Sequence, residues 1–188
     1  MEDARSTSGC SDCGGAMASA EASPSILARA VVQQCVSARL QTNYNSVGAD
    51  QERAEFVHIG RGMVVFVCFL KQASEAVAER LALSVLKARL CESADSGKKV
   101  SVLDCCGDVL IVPQATLGGV LKGKQFQYHK NSSPEQGSSL FEKFSNVVKQ
   151  TMQSGKAERT GTVAVGTYGN RQVLCMETNG PSTHIIDL

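Results

Sequence analysis

Two cysteines near the start of the chain, Cys10 and Cys13, have the spacing of half a tetrahedral zinc site. A complete site needs four ligands, and no second close pair with suitable spacing follows. The other candidate ligands are adjacent to each other or scattered along the chain: Cys105, Cys106, His58, His129 and His184. We therefore expect no metal site and no cofactor, and we interpret Cys10 and Cys13 as exposed thiols.

The segment 113–119 could stabilise negative charge on an oxygen atom. It ends a strongly apolar run with an amide, a small residue and a hydroxyl, at Gln114, Ala115 and Thr116, and two glycines follow. Backbone N–H groups at such a strand end can line an oxyanion pocket. The alternative is a strand that simply stops at a Gly-Gly turn, and these residues alone leave both interpretations open.

A second unusual segment, residues 178–183, reads Thr-Asn-Gly-Pro-Ser-Thr. Proline restricts its own backbone, so Gly180-Pro181 predicts a rigid turn whose carbonyl groups point in set directions. Asn179-Gly180 is also a strong signal for an ordinary hairpin turn, which is the alternative.

The chain lacks the familiar local patterns of nucleophilic and phosphate-binding sites. It contains no Gly-x-Ser-x-Gly elbow and no Gly-rich loop ending in Lys-Ser or Lys-Thr. Cys68 and Cys175 lie inside strand-like patterns, so we expect both to be inert core residues.

Two helices are predicted to position these segments. The first covers 74–90, with Ser74 as its cap. The second starts at Ser133-Pro134, where serine caps the helix, proline takes the first position and Gln136 could complete a capping box; it fades near Met152.

Strand-like runs account for most of the remaining chain. The run 63–70 is continuously apolar, as in a central strand buried on both faces. Further strands or terminal segments are predicted at 26–40, 55–59, 100–103, 108–114, 161–166, 172–177 and 182–188. The predicted fold is α/β, of α+β-like character: a mixed, largely antiparallel sheet or barrel of six to eight strands with two main helices. We expect residues 1–25 to be a disordered tail and 26–188 to form one domain.

Charge is nearly balanced overall but unevenly distributed. The 188 residues contain 19 Lys and Arg against 18 Asp and Glu, which argues against a chain that coats nucleic acid by bulk charge. Residues 1–60 carry four positive and seven negative side chains, whereas 120–159 carry seven positive and three negative. The second segment predicts a basic face for phosphates, with a solvated helix surface as the alternative. Its candidate contacts are Lys122, Lys124, Lys130, Lys143 and Lys149.

Eight cysteines raise the question of compartment. No signal peptide or transit peptide is visible in the first 25 residues, and no apolar run is long enough to span a membrane. We expect reduced thiols in the cytoplasm, because disulfide frameworks belong to short secreted chains.

Taken together, the two segments resemble the motifs of the D-aminoacyl-tRNA deacylase family, over about residues 28–188. The family's motifs are Ser-Gln-Phe-Thr-Leu and Asn-x-Gly-Pro-x-Thr, and they correspond here to residues 113–117 and 178–183. Six positions match: Gln114, Thr116, Leu117, Gly180, Pro181 and Thr183. Three depart from the main branch and resemble the second, animal-type branch: Pro113, Ala115 and Thr178. The patterns Gly60-Arg61-Gly62 and 166–173 add to the resemblance.

The resemblance implies a homodimer that hydrolyses the ester of mischarged tRNA. Each site would combine the strand end of one subunit, with Gln114, Ala115 and Thr116, and the Gly-Pro turn of the other. Main-chain donors and the 2′-hydroxyl of the terminal adenosine would perform the chemistry, without a cofactor or a side-chain triad. The Gly-Pro turn would select substrates through Asn179, Gly180, Pro181 and Thr183.

The second branch is also associated with removal of L-alanine from threonine tRNA, and Ala115 is consistent with a roomier pocket than phenylalanine would leave. The alternative from another class is a non-catalytic tRNA-binding dimer of the same fold.

Overall fold

The computed structural model describes residues 25–44, 54–93, 96–154, 161–180 and 182–188. The predicted tail therefore lies outside the described residues except for Ser25. The helices are α1 (Glu75–Lys87) and α2 (Pro134–Gln153), and a short 3₁₀ turn covers Ala115–Gly118. The strands are β1 (Ala28–Cys35), β2 (Ser37–Tyr44), β3 (Phe56–Ile59), β4 (Gly62–Phe69), β5 (Cys91–Glu92), β6 (Lys99–Val100), β7 (Asp108–Pro113), β8 (Val120–Lys122), β9 (Gln125–Gln127), β10 (Val163–Val165), β11 (Arg171–Glu177) and β12 (Thr183–Asp187).

Eight of these strands form the two principal sheets. The first has the order β10-β7-β4-β1-β12, in which β10, β7 and β4 are parallel and the pairs β4-β1 and β1-β12 are antiparallel. The second sheet, β11-β2-β3, is antiparallel, and β5-β6 and β8-β9 are separate two-stranded ribbons. The predicted mixed, largely antiparallel architecture with two helices is confirmed.

The first sheet is the middle layer of the fold. Alternate residues of β4 point to opposite faces, as strand geometry requires. Met63, Val65 and Val67 join the core formed with α1 and α2, whereas Val64 joins a smaller core formed with the second sheet. Both faces of β4 are therefore covered, which explains its continuous apolar run. Neither helix in the described residues combines the length and apolar character needed to cross a membrane.

Helix α2 begins as its local sequence predicts. The backbone N–H of Gln136 donates to the Ser133 hydroxyl at 3.2 Å, and Pro134 occupies the first turn. The predicted capping box is not completed, because the Gln136 side chain donates instead to the carbonyl oxygen of Ala73, at 3.1 Å. This bond ties the start of α2 to the loop before α1. In α1, Ser74 takes the cap position, but its hydroxyl accepts no capping bond.

Several predicted boundaries are wrong. The predicted strand 26–40 divides at Val36 into β1 and β2, which belong to different sheets. The predicted strand 100–103 shrinks to the end of β6, because the Asp104 carboxylate accepts from the backbone and hydroxyl of Ser101 and closes a turn. Helix α1 ends at Lys87 rather than at residue 90.

The two cysteines predicted to be core residues differ in their surroundings. Cys68 is buried in β4, as expected, but Cys175 is exposed. The prediction for Cys175 is wrong because β11 is an edge strand of the second sheet, and this position faces solvent.

Candidate active site

A cavity of about 420 Å³ opens at the carboxyl ends of the parallel strands β4 and β7, beside the loop that follows β10. Carboxyl ends of parallel strands are the usual place for ligands in sheets of this kind. The start of α2 closes another side, through Ser132 and Pro134. The other lining residues are Val67, Cys68, Phe69, Pro113, Gln114, Ala115, Asn131, Phe141, Tyr168, Gly169 and Asn170. The cavity thus gathers residues from four separate parts of the chain, including two of the three predicted catalytic residues.

The 3₁₀ turn presents backbone donors at the cavity wall. The Gln114 N–H donates to the carbonyl oxygen of Val67 at 2.9 Å, and the Leu117 N–H donates to that of Gln114 at 3.2 Å. Between them, the N–H groups of Ala115 and Thr116 have no acceptor among the described residues, and both residues are exposed. The first N–H groups of a helical turn lack partners within the turn, so they are available to a ligand. The arrangement can hold an oxyanion.

Two side chains hold the Ala115 carbonyl group. Asn131 Nδ2 donates to it at 2.8 Å, and the Cys68 thiol lies 3.7 Å away. Gly118 allows this close packing, because a Cβ atom there would lie only 2.0 Å from Oδ1 of Asn131. That Oδ1 atom is buried and has no hydrogen-bond partner among the described residues. The carbonyl of Ala115, and with it the direction of the adjoining peptide, is therefore set by contacts from outside the turn.

None of the described residues that line the cavity is an Asp, Glu, Lys, Arg or His. The nearby guanidinium of Arg29 donates to the Leu117 carbonyl oxygen of the turn at 3.5 Å and is paired with Asp187. Gln114 Nε2 donates to the Thr116 hydroxyl at 3.1 Å. Tyr168 packs against Phe141 with ring centroids 5.8 Å apart, and burial raises the pKa of its phenol, with smaller contributions from Cys68 and Glu135. The site therefore contains dipoles and an aromatic wall rather than an obvious acid–base pair.

The segment 178–183 lies at a distance from this cavity within one chain. Thr183 of β12 pairs with Gln33 of β1, which in turn pairs with Val64 of β4. In the other segment, Pro113 of β7 pairs with Val67 of β4. Three residues along the strand and three strand spacings across the sheet separate the two segments, on the order of 17 Å. One chain therefore does not bring its two motifs together.

The same segment is not a hairpin turn. It connects β11 of the second sheet with β12 of the first sheet. Gly180 has a φ of +149°, Asn179 is exposed, and the Thr183 hydroxyl donates to Oε1 of Gln33. Pro181 lies outside the described residues.

The predicted phosphate contacts have different surroundings. Lys122, Lys124 and Lys130 are exposed on and after the β8-β9 ribbon, and Lys149 is exposed on α2. Lys143 faces α1 instead: its ammonium lies 2.6 Å from a Glu79 carboxylate oxygen and 3.7 Å from one of Glu75. The hydrogen bond to Glu79 raises the pKa of Lys143.

The sequence did not predict a place in the site for Asn131, Cys68 or Tyr168, and Cys68 was expected to be only a core residue. Tyr168 stands between glycines in the pattern 166–173, which signals an unusual loop. Nothing local marks Asn131 or Cys68, because their importance comes from contacts with Ala115, which is distant in sequence. The described residues contain no group of three or more potential metal ligands, and Cys10 and Cys13 lie outside them.

Buried thiols should react slowly with alkylating reagents. Burial raises the pKa of the Cys68 thiol, with a smaller opposing effect from the Gly118 N–H, and burial likewise raises the pKa of Cys35. A raised pKa lowers the thiolate fraction at pH 8, so iodoacetamide should label exposed Cys175 at least about tenfold faster than either. Peptide mass mapping of a chain with Cys10 and Cys13 replaced by alanine measures this. In concentrated urea the rates should converge; equal rates in the native chain would contradict the burial.

Comparisons with known proteins agree with this geometry. The family model described as D-Tyr-tRNA(Tyr) deacylase matches residues 31–187. D-aminoacyl-tRNA deacylase 2 of Danio rerio is 45% identical over 161 residues, covering 85% of this chain and 98% of the relative. The protein of the same name from Homo sapiens is 44% identical over 163 residues, covering 85% and 94%.

Two solved structures share the fold. One, described as a probable eukaryotic D-amino acid tRNA deacylase, has a TM-score of 0.72 at 25% identity and covers 87% of this chain and all of its own. The other, a c-Myc DNA Unwinding Element Binding Protein, has a TM-score of 0.68 at 25% identity, covering 84% and 97%. With the family model matching most of the chain and the strand-end cavity in place, the chain belongs to the D-aminoacyl-tRNA deacylase family of hydrolases.

Proposed function

We propose that the protein hydrolyses the ester joining a D-amino acid to the terminal adenosine of tRNA, releasing free amino acid and tRNA. Family membership supports the reaction class. The observation that carries the proposal is the pair of N–H groups, of Ala115 and Thr116, that have no acceptor among the described residues. Ala115 lines the cavity of about 420 Å³, and Thr116 is the next residue of the same turn. A volume of this size falls in the range of sites for small molecules, and the Tyr168 ring offers a nucleoside an apolar wall.

In the proposed reaction, water attacks the ester carbonyl carbon and the bond from that carbon to the 3′-oxygen breaks. The carbonyl oxygen becomes negative in the intermediate, and the two N–H groups stabilise it. The leaving 3′-oxygen takes a proton and becomes the 3′-hydroxyl of tRNA, with the adjacent 2′-hydroxyl assisting. Gln114 and Thr116, hydrogen-bonded to each other, shape the wall.

The proposal extends to L-alanine carried by threonine tRNA. Ala115 places a single methyl group at the cavity wall, so the pocket has more room than phenylalanine would leave. In this proposal Gly180 and Pro181 exclude unwanted substrates, together with Asn179 and Thr183.

We further propose that the site is completed by a second copy of the chain. The separation of the motifs within one chain supports this, because a Gly-Pro turn that selects substrates must reach the ester. The edge of the first sheet offers a contact surface, because Ile185 on the edge strand β12 is 65% exposed and pairs in register with the partly buried Val31 of β1.

The substitution Ile185→Asp tests the two-chain site. A charge in an apolar contact between subunits carries a desolvation cost, so the variant should sediment as a monomer and deacylate at least about tenfold more slowly. Analytical ultracentrifugation and single-turnover assays measure the two effects. Val173→Asp, at an exposed position of β11, is the matched control and should remain wild-type in both. A monomeric Ile185 variant with full activity would show that one chain suffices.

Contacts with tRNA are proposed for Lys122, Lys124, Lys130 and Lys149. Lys143 belongs to the same basic segment, but its two carboxylate partners reduce its capacity to bind phosphate. We place the protein in the cytoplasm as a single domain, 26–188, behind an N-terminal tail.

A single-turnover assay with purified D-Tyr-tRNA and L-Ala-tRNA(Thr) decides the proposal. Release of D-tyrosine at micromolar enzyme is the expected result, and release of neither amino acid would overturn the enzymatic function. Salt-dependent binding of tRNA without release would favour the alternative, a non-catalytic tRNA-binding dimer.

A further inference from the structure

The β8-β9 ribbon exposes large apolar side chains beside the candidate active site. Its two strands pair only with each other among the described residues. Phe126 is 60% exposed and Tyr128 is 43% exposed, and Val120 and Leu121 are also exposed. Contiguous apolar surface that is edged by polar residues usually marks an interaction site. The ribbon is therefore a candidate contact surface.

Both aromatic rings rest against the backbone at Gly119. A Cβ atom on this residue would lie 2.7 Å from Cε1 of Tyr128 and 3.1 Å from Cδ1 of Phe126. Phe126 also pairs directly with Leu121, on the same face of the ribbon. One side of each ring is thus in contact with the protein while much of its surface stays open to solvent. Such rings are positioned before any partner arrives.

The charged side chains on the ribbon and in its flanking sequence are all of one sign. No aspartate or glutamate occurs between Asp108 and Glu135, whereas Lys122, Lys124 and Lys130 lie in this stretch. All three lysines are exposed. Aromatic rings combined with lysines are typical of surfaces that bind single-stranded nucleic acid, where bases stack on rings and cations contact phosphates. A duplex would not suit the rings, because its base faces are already stacked.

Asn131 links the ribbon to the oxyanion turn (Ala115–Gly118) through two hydrogen bonds. The backbone N–H of Asn131 donates to the carbonyl oxygen of Tyr128 at 3.0 Å, and its side chain donates to that of Ala115 at 2.8 Å. The rings therefore lie next to the wall where the ester would bind. From this arrangement we infer that Phe126 and Tyr128 form a stacking platform for the unpaired nucleotides preceding the terminal adenosine of tRNA. The inference rests on the proposed function for the identity of the RNA.

A second copy of the chain is a less suitable occupant. In a two-fold symmetric contact the same patch lies on both sides, so a surface that carries Lys122, Lys124 and Lys130 would face an identical surface with the same lysines. Like charges brought together in this way oppose association. An RNA strand supplies the opposite charge.

The double variant F126A/Y128A tests the platform with two substrates. Full-length D-Tyr-tRNA carries the unpaired nucleotides, whereas D-tyrosyl-adenosine carries only the terminal nucleoside. The loss of single-turnover kcat/KM on the tRNA should exceed the loss on the nucleoside ester by about tenfold or more, because stacking is lost only with the tRNA. Phe56→Ala, which removes an exposed ring from β3, is the matched control and should change neither rate.

Three results would overturn the platform. They are an unchanged rate on tRNA, an equal loss on both substrates, and a change in oligomeric state on ultracentrifugation, which would assign the rings to a subunit contact. A failure of the proposed function is distinguishable, because the wild-type chain would then hydrolyse neither substrate. In that case binding of a labelled single-stranded RNA ending in CCA, measured by fluorescence anisotropy, still tests the platform. The wild-type chain should bind this RNA, and F126A/Y128A should bind it about tenfold more weakly. Equal binding by the two chains would refute the platform.

Discussion

Replacing Gly118 with alanine is expected to slow single-turnover deacylation by about 10²-fold or more, with the chain still folded. A Cβ atom at this position would lie 2.0 Å from Oδ1 of Asn131 and 2.7 Å from Cδ2 of Leu70. Both contacts are too close to persist, and the one with Asn131 is the shorter, so we expect the Asn131 side chain to move furthest. Its Nδ2 atom would then release the Ala115 carbonyl, which it holds at 2.8 Å.

The expected loss follows from the geometry of an oxyanion site. Its donors stabilise the intermediate only if they already point at the position of the negative oxygen. The Ala115 carbonyl and the Thr116 N–H belong to the same peptide group, so a rotation that frees the carbonyl also turns the donor. A change outside the reacting atoms can therefore remove most of the rate.

Single-turnover kinetics with D-Tyr-tRNA, together with circular dichroism, measures this effect. Gly60→Ala is the matched control, because a Cβ atom there would lie 3.3 Å from Asp108 Oδ2, a contact that a small adjustment relieves. Asn131→Ala should also slow the reaction, and adding Gly118→Ala to it should cost less than Gly118→Ala costs alone, since the clash with Asn131 is gone and only the contact with Leu70 remains. Full activity of the Gly118 variant would refute the oxyanion role of this turn.

Replacing Phe144 with alanine should lower the free energy of unfolding by about 3–5 kcal/mol. Phe144 on α2 is fully buried in the core between the helices and the first sheet. Its ring meets that of Phe69 edge-to-face, with centroids 6.3 Å apart. Truncation loses the transfer free energy of the ring and leaves a cavity that the rigid sheet fills only in part.

Urea unfolding followed by circular dichroism measures the change. Phe126→Ala makes the same substitution at an exposed position and should cost less than about 1 kcal/mol. A loss below about 1 kcal/mol for the Phe144 variant would mean that the helix–sheet core is not packed as described. Phe69 also lines the cavity, so the Phe144 variant should bind substrate more weakly as well.

Local signals in the sequence predicted the second helix well. Ser133 and Pro134 define its start, and the apolar spacing of Leu140, Phe144 and Val148 defines its buried face. Capping and helical periodicity act within a few residues, so they can be read without the rest of the fold. The side chain of Gln136 is the exception, because a carbonyl group from another loop, that of Ala73, competes for it.

Local sequence signals did not predict which strands pair with each other in the sheets. The apolar run 26–40 shows no boundary at Val36, yet its two halves join different sheets. Cys175 has the neighbours of a core strand, but its exposure depends on β11 being an edge strand. Strand order and burial are decided by residues far away in the chain.

The candidate site likewise combines features that the local sequence predicts with features that depend on contacts between distant segments. The sequence by itself was enough to recognise the family and to predict Gln114, Ala115, Thr116 and the basic segment as candidates, because each is a contiguous pattern of residue types. Only the tertiary structure placed Asn131 and Cys68 on the Ala115 carbonyl. It also separated the Gly-Pro segment from the cavity of its own chain by two intervening strands, β1 and β4. The physical reason is that an oxyanion site depends on the direction of a few N–H bonds, and packing between distant segments sets that direction.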